Sequence, residues 1–437
     1  MSNLAFVLIL LVLALFAWAW SRRRAMFLYP STWILLLSTL LYMLPALLFS
    51  EEIADMSPYA NNSLLYCSAF VVGALLLKLA VGAPLALSRV LESPAKRRSS
   101  SITGHALLGV LGVLAAITLW YLLNVPLQST GLYGVLFDPE HSAQMREESL
   151  KLLGNPALQY AYLIGFTALS PLAFTLLLAR SAELSGSGRW KLVIPVMAFL
   201  AFYLLLTGAR VGLVNLAVAG VAYAFLRNRM SLGYKPLLLA GVALFAVPML
   251  ISFLREQGRN EATVLEYVDA IGERIFLLPM LISGWFVEYA DTRGQAGLLA
   301  AIGVGENINW SNLIALEFLD RKEAVTIETV TTPTAFMFSN YLYFGWLGLV
   351  PSWIALRLID LPADWAMRAV PALRTPLLAA LMFFSVIFVQ SGFGVAWISH
   401  GYLLLAVIVW MATPMARLAS GTDDHRGGRK SAEQGAR

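Results

Sequence analysis

Eleven stretches of roughly twenty apolar residues, spread along a chain of 437, limit its fold more than any motif does. They run approximately over 3–20, 26–49, 63–87, 104–125, 157–179, 190–208, 209–226, 236–253, 335–356, 376–392 and 395–415. A bilayer core about 30 Å deep takes about 20 helical residues at 1.5 Å each. The chain is therefore expected to be an all-α polytopic membrane protein of about eleven transmembrane helices with two long outward loops. Only 13% of its residues are charged and 59% are hydrophobic, against about 25% charged in soluble domains. That balance excludes a soluble enzyme, a disordered chain and a nucleic-acid-binding domain. The first stretch reads as a retained helix, since no basic run precedes it and Arg22-Arg23-Arg24 follows it.

Basic residues stay on the cytoplasmic side of a membrane, and here they alternate. Arg22–Arg24, Lys78 to Arg98, Arg180 to Lys191, Arg227 to Lys235, Arg357 to Arg374 and the tail from Arg417 hold 22 of the 31 Lys and Arg. The same segments hold 7 of the 26 acids. The C-terminus is thus expected in the cytoplasm and the N-terminus outside.

The resulting organisation is an N-terminal bundle over 1–253 with an outward loop at 126–156, a large outward loop over 254–334, C-terminal spans over 335–416 and a disordered polar tail over 417–437. In the large loop, Thr263–Ile275 carries Leu265, Val268, Ile271 and Ile275 on one helical face and Glu266, Asp269 and Glu273 on another, the pattern of an amphipathic surface helix. Ile275–Val287 is apolar but short and contains Pro279, so it reads as re-entrant or buried. A hairpin with Gly294–Gly305 is the alternative.

No nucleotide loop, catalytic-serine elbow or metalloprotease motif is present. The one cysteine, Cys67, excludes an internal disulfide and a multi-thiolate metal site, and the four histidines (His105, His141, His400, His425) show no ligand spacing. No cofactor and no metal are expected.

What remains is arginine on the outward side. Arg210 lies in the turn Leu206-Thr207-Gly208-Ala209-Arg210-Val211-Gly212 between two apolar stretches. Arg255 and Arg259 follow the eighth stretch at i,i+4 and so share a face if that helix continues. Arg146 and Arg274 stand beside acids. Guanidinium forks match phosphate oxygens two at a time and keep their charge at any relevant pH, so this pattern suits a phosphorylated ligand. Snorkelling arginines or ion pairs would give the same pattern. Glu256, Glu261, Glu266, Asp269 and Glu273 are the carboxylates in the right segment to act as a base, and His141 is a second candidate. Trp285, Tyr289, Trp310, Tyr341 and Trp346 are suited to stacking on sugar rings, or to an interfacial aromatic belt.

The Leu-Thr-Gly-Ala-Arg-Val-Gly turn and the long outward loop are followed by Thr331-Thr332-Pro333-Thr334-Ala335-Phe336 and by Ser339-Asn340-Tyr341-Leu342-Tyr343-Phe344-Gly345-Trp346-Leu347-Gly348. Over roughly 100–415 this arrangement resembles the Wzy-type oligosaccharide repeat-unit polymerases, or O-antigen polymerases. The resemblance implies a glycosyltransferase of the bacterial inner membrane with its site facing the periplasm. Its donor and acceptor would be undecaprenyl-diphosphate-linked oligosaccharides, its product an O-antigen-like or exopolysaccharide chain, and its partner a chain-length regulator protein. It would place Arg210, Arg255 and Arg259 around the donor diphosphate, with Arg146, Arg274, Glu266 and Tyr341 binding substrate. O-antigen ligases often carry histidine-asparagine where this chain has Ser339-Asn340, a departure that favours polymerase over ligase. A flippase or transporter of lipid-linked oligosaccharides is the other alternative.

Overall fold

A computed structural model describes residues 2–49, 53, 58–81, 100–138, 141–208, 211–228, 272, 277–301, 310, 313–314, 317 and 334–413. Of these, 88% are helical and none lies in a strand. Backbone polar groups are thereby satisfied within each segment, as a hydrocarbon surrounding demands.

The helices are, in order, α1 (Ser2–Arg22), α2 (Pro30–Leu48), α3 (Ala60–Val81) and α4 (Ser100–Asn124). Two short ones follow, α5 (Gly131–Phe137) and α6 (Ser142–Lys151). Then come α7 (Pro156–Ser181), α8 (Ser187–Leu205) and α9 (Val211–Arg227). The last group is α10 (Leu278–Arg293), α11 (Gly297–Ala301), α12 (Phe336–Phe344), α13 (Leu349–Arg368), α14 (Pro371–Phe388) and α15 (Tyr402–Thr413). Eight described helices are long and apolar enough to cross a membrane, with α12 and α13 counted as one. The chain is a multi-pass, all-α membrane protein.

Of the other expected spans, 209–226 and 395–415 correspond to the shorter apolar helices α9 and α15. The stretch 236–253, the amphipathic helix at 263–275 and the tail 417–437 lie outside the described residues, as does most of the 254–334 loop.

The chain forms two compact units. The first comprises 1–87, 261–360 and 384–396. At its centre Tyr42 of α2 donates to the Val389 carbonyl (2.5 Å) and accepts from the Ala335 N–H (3.1 Å). Phe70, Phe336 and Phe338 are fully buried around it. In this unit Pro279 sits in the first turn of α10 rather than inside an apolar run. There its missing N–H costs nothing, and the helix continues to Arg293. Ser283 Oγ meets Ser63 Oγ at 3.2 Å, while Asp291 Oδ2 lies 3.5 Å from Asn62 Nδ2. Positions about 12 Å apart on α10 therefore meet adjacent residues of α3, so α10 crosses the start of α3 instead of running along it.

The expected single span over 335–356 is interrupted. Gly345 adopts φ +57° between α12 and the tight turn Gly345–Gly348, after which α13 begins. A left-handed residue cannot continue a right-handed helix, and glycine takes that conformation without steric cost.

The second unit comprises 88–260, 361–383 and 397–437. A π turn at Gly165–Leu169 widens α7. The Ser170 hydroxyl takes up the Gly165 carbonyl (2.8 Å), and the Thr167 hydroxyl reaches both Leu163 O (2.7 Å) and His400 O (2.6 Å). His400 and Gly401 (φ +82°) separate a π turn at Val395–Ser399 from α15.

Candidate functional site

In the second unit, α8 ends at Leu205 and the chain turns through Leu206, Thr207 and Gly208 before α9 begins at Val211. Gly208 has φ +69°, a conformation that a side chain would strain. The turn is seated on the first residues of α5. The Leu132 N–H donates to the Leu206 carbonyl at 3.1 Å. Gly131 packs so closely that a Cβ there would overlap the Thr207 carbonyl, and a Cβ at Gly208 would come within 2.8 Å of Gly131 O. Thr130 caps α5 by accepting from Tyr133 N–H at 3.2 Å, which orients that helix terminus.

Beneath the turn, α7 and α8 are tied by a reciprocal pair. The Tyr162 hydroxyl donates to Tyr203 O, and the Tyr203 hydroxyl donates to Tyr162 O, each at 2.8 Å. Both side chains are fully buried, so two polar groups on each helix are satisfied without water. Tyr121 stacks 5.1 Å from Tyr162. These two rings line a small apolar recess with Trp120, Leu153 and Leu158. The two outward segments singled out in the sequence, Gly131-Leu132-Tyr133-Gly134 and the arginine turn, are thus one packed structure.

Arg210 follows this turn by two residues and lies outside the described residues. So do Arg255, Arg259, Arg274 and Glu266, together with Glu256, Glu261, Asp269 and Glu273. Arg146 is on α6, in the same unit as the turn. His141 is exposed and its Nδ1 meets Asp138 Oδ1 at 2.9 Å. His400 offers its backbone carbonyl to Thr167, as noted above.

Tyr341 belongs to the first unit. Its hydroxyl donates to Asp291 Oδ1 at 2.9 Å, and its ring packs edge-on against Tyr66 at 4.7 Å. Asn340, at the position compared with the ligases, is occupied structurally: its amide donates to Ser352 Oγ (2.8 Å), which donates to Gly348 O (2.7 Å). Those bonds pin the Gly345–Gly348 turn onto α13.

No family model, curated protein or solved structure matches this chain. The site is read from its geometry alone.

Asp291 went unnoticed in sequence because its partner Tyr341 is 50 residues away, and nothing in Tyr289-Ala290-Asp291 distinguishes it from a solvated helix end. Arg293, two residues on, is exposed and paired: its Nη2 lies 2.9 Å from Glu317 Oε1, a contact that holds the guanidinium above its ordinary pKa. Among the described residues no group of three or more His, Cys, Asp and Glu is placed to hold a metal.

Proposed function

We propose that this protein is a membrane glycosyltransferase that joins polyprenyl-diphosphate-linked oligosaccharide repeats into a longer chain. It would lie in a bacterial inner membrane with eleven spans and act on the periplasmic side, the side its basic loops avoid. The observation that carries the reading is the seating of the Leu206–Gly208 turn on Gly131 and Leu132. A turn fixed by backbone contact holds the next residues in a narrow range of positions. Arg210 is one of them.

The chemistry asks for what such a turn supplies. A sugar bound through a diphosphate carries its own leaving group, so no nucleotide is needed. The acceptor hydroxyl oxygen bonds to the anomeric carbon as the bond from that carbon to the phosphate oxygen breaks. The diphosphate leaves with the electron pair, and a carboxylate takes the hydroxyl proton. Charge grows on the departing diphosphate, and a preorganised guanidinium stabilises it without reorganising. Arg210, Arg255 and Arg259 fill that role in this reading, with Arg146, Arg274, Glu266 and Tyr341 contacting substrate and a chain-length regulator as partner.

The test is Arg210→Ala beside Arg210→Lys, with membrane abundance and surface glycan length both measured. Loss of one such donor costs about 10²–10³-fold in rate, so the alanine variant should leave single repeats in place of long chains. Arg210→Lys keeps the charge and loses the fork, and should also shorten the product. Long chains of normal length in Arg210→Ala at normal abundance would defeat the proposal. Single repeats stranded on the cytoplasmic face would point to a flippase.

A further inference from the structure

We infer that Asn62, Asp291 and Gln295 form a binding subsite for the hydroxyl groups of a saccharide, at the end of the first unit where α10 crosses α3. The inference begins with what holds the Asp291 carboxylate. Its Oδ1 accepts from the Tyr341 hydroxyl at 2.9 Å, and its Oδ2 lies 3.5 Å from the Asn62 amide. Both partners are neutral. The nearby Arg293 is engaged with Glu317 through two contacts of 2.9 and 3.2 Å. Among the described residues, no cation neutralises Asp291.

A carboxylate has about four acceptor positions, and two neutral donors leave the others facing outward, since Asp291 is exposed. The group is also anchored. Met280 to Val287 of α10 are buried, and the Tyr341 ring beneath it is buried against Tyr66. On the other flank Gln295 is exposed, with its side chain lying over Gly345. The adjoining Ala296 N–H donates to Leu342 O at 3.0 Å, fixing that segment to α12.

A fixed acceptor between two amides, each offering two donors and one acceptor, suits an uncharged ligand rich in hydroxyls. A phosphate would be repelled by the unpaired carboxylate, so this is not the diphosphate position. The assignment deepens the function proposed above by giving the saccharide portion of its substrate a place.

The probe is the host's own surface glycan, released by mild acid and offered to the full chain in nanodiscs, with binding followed by saturation-transfer NMR. Asp291→Asn is nearly isosteric and still accepts from Tyr341, so the fold is kept while acceptor capacity and charge are lost. Hydrogen bonds to charged groups are worth more than neutral ones, and affinity should fall tenfold or more. Asn62→Ala, at an exposed position, should weaken binding too, and Glu317→Gln should leave it unchanged. No binding by the wild type overturns the subsite, as does equal binding by Asp291→Asn and Asn62→Ala. So does a melting shift with calcium alone that Asp291→Asn abolishes. Binding that survives in Arg210→Ala while chain length stays normal there would retire the polymerase reading and leave the subsite standing.

Discussion

Asp360 on α13 caps the start of α2 across 329 residues of sequence: its Oδ1 accepts from the Ser31 backbone N–H at 3.1 Å, and its Oδ2 from the Ser31 hydroxyl at 2.6 Å. The residue at the cap position, Tyr29, makes no side-chain capping bond. A carboxylate from another helix does instead what a local serine or aspartate usually does, and it lies at the positive end of the helix dipole. Lys78 of α3 completes the arrangement, 2.7 Å from Asp360 Oδ2 and 5.1 Å from the Tyr29 ring. Three helices of the first unit meet at one buried ion pair.

Removing one member of that pair should cost more than removing both. Asp360→Ala leaves Lys78 largely buried with no counter-charge and two Ser31 donors with no acceptor. Breaking a buried pair from one side costs about 3–5 kcal/mol. Lys78→Met strands the carboxylate in turn, although Ser31 still serves it. The double substitution Lys78→Met with Asp360→Leu should lose less than the sum of the two single losses. Thermal unfolding in detergent, followed by the monodisperse fraction, measures the cycle. Simple additivity would mean that the pair contributes nothing as a pair.

Gly131→Ala tests the seat of the arginine turn without touching an arginine. The added Cβ meets backbone atoms of Thr207 and Gly208, which cannot swing aside as a side chain would. The turn must lift, and the Leu132–Leu206 bond must lengthen or break. Product chains should shorten as they do in Arg210→Ala, with stability reduced by about 1–3 kcal/mol as in other overpacked sites. Gly112→Ala in α4 is the control, since nothing lies within 4 Å of a Cβ there, and it should behave as wild type. Full-length product from Gly131→Ala at normal abundance would separate the seat from function.

Long apolar runs were readable because a bilayer imposes length and polarity on every span at once. The interruption at Gly345 was not, because a hydropathy pattern carries no backbone dihedral and Phe336 to Leu356 is apolar throughout. The same pattern placed the end of that span too early. Arg357, Asp360, Asp364 and Arg368 look like a connecting loop, yet α13 runs on to Arg368. Asp360 is tolerated there because Ser31 and Lys78 satisfy it, and both are remote in sequence. Of the candidate site, the arginine turn stood out by composition, since outward arginine is scarce. Its contact with Gly131 depends on a glycine that sequence could identify only as a turn former. Tyr341 was visible as one aromatic among several, and Asp291 was hidden among nineteen outward carboxylates.

Orientation is open to direct measurement, and the functional reading depends on it. Cys67 is the only cysteine and is buried, so replacing it with alanine gives a background without reactive thiols. Phe137, at the end of α5, is 70% exposed, and Trp190, near the start of α8, is 59% exposed. Trp190 stands between Arg189 and Lys191, and basic flanks mark the retained side. A cysteine at Phe137 should therefore react with a membrane-impermeant maleimide on intact spheroplasts, and one at Trp190 only after permeabilisation. The helix α8 separates Trp190 from the Leu206–Gly208 turn by 19 residues from Ser187 to Leu205, about 28 Å at 1.5 Å each, enough to place the two on opposite faces. If Trp190 were the accessible position, the turn and Arg210 would face the cytoplasm. Substrates displayed on the far side of the membrane could not then reach them, and the polymerase proposal would fall whatever the arginine variants showed.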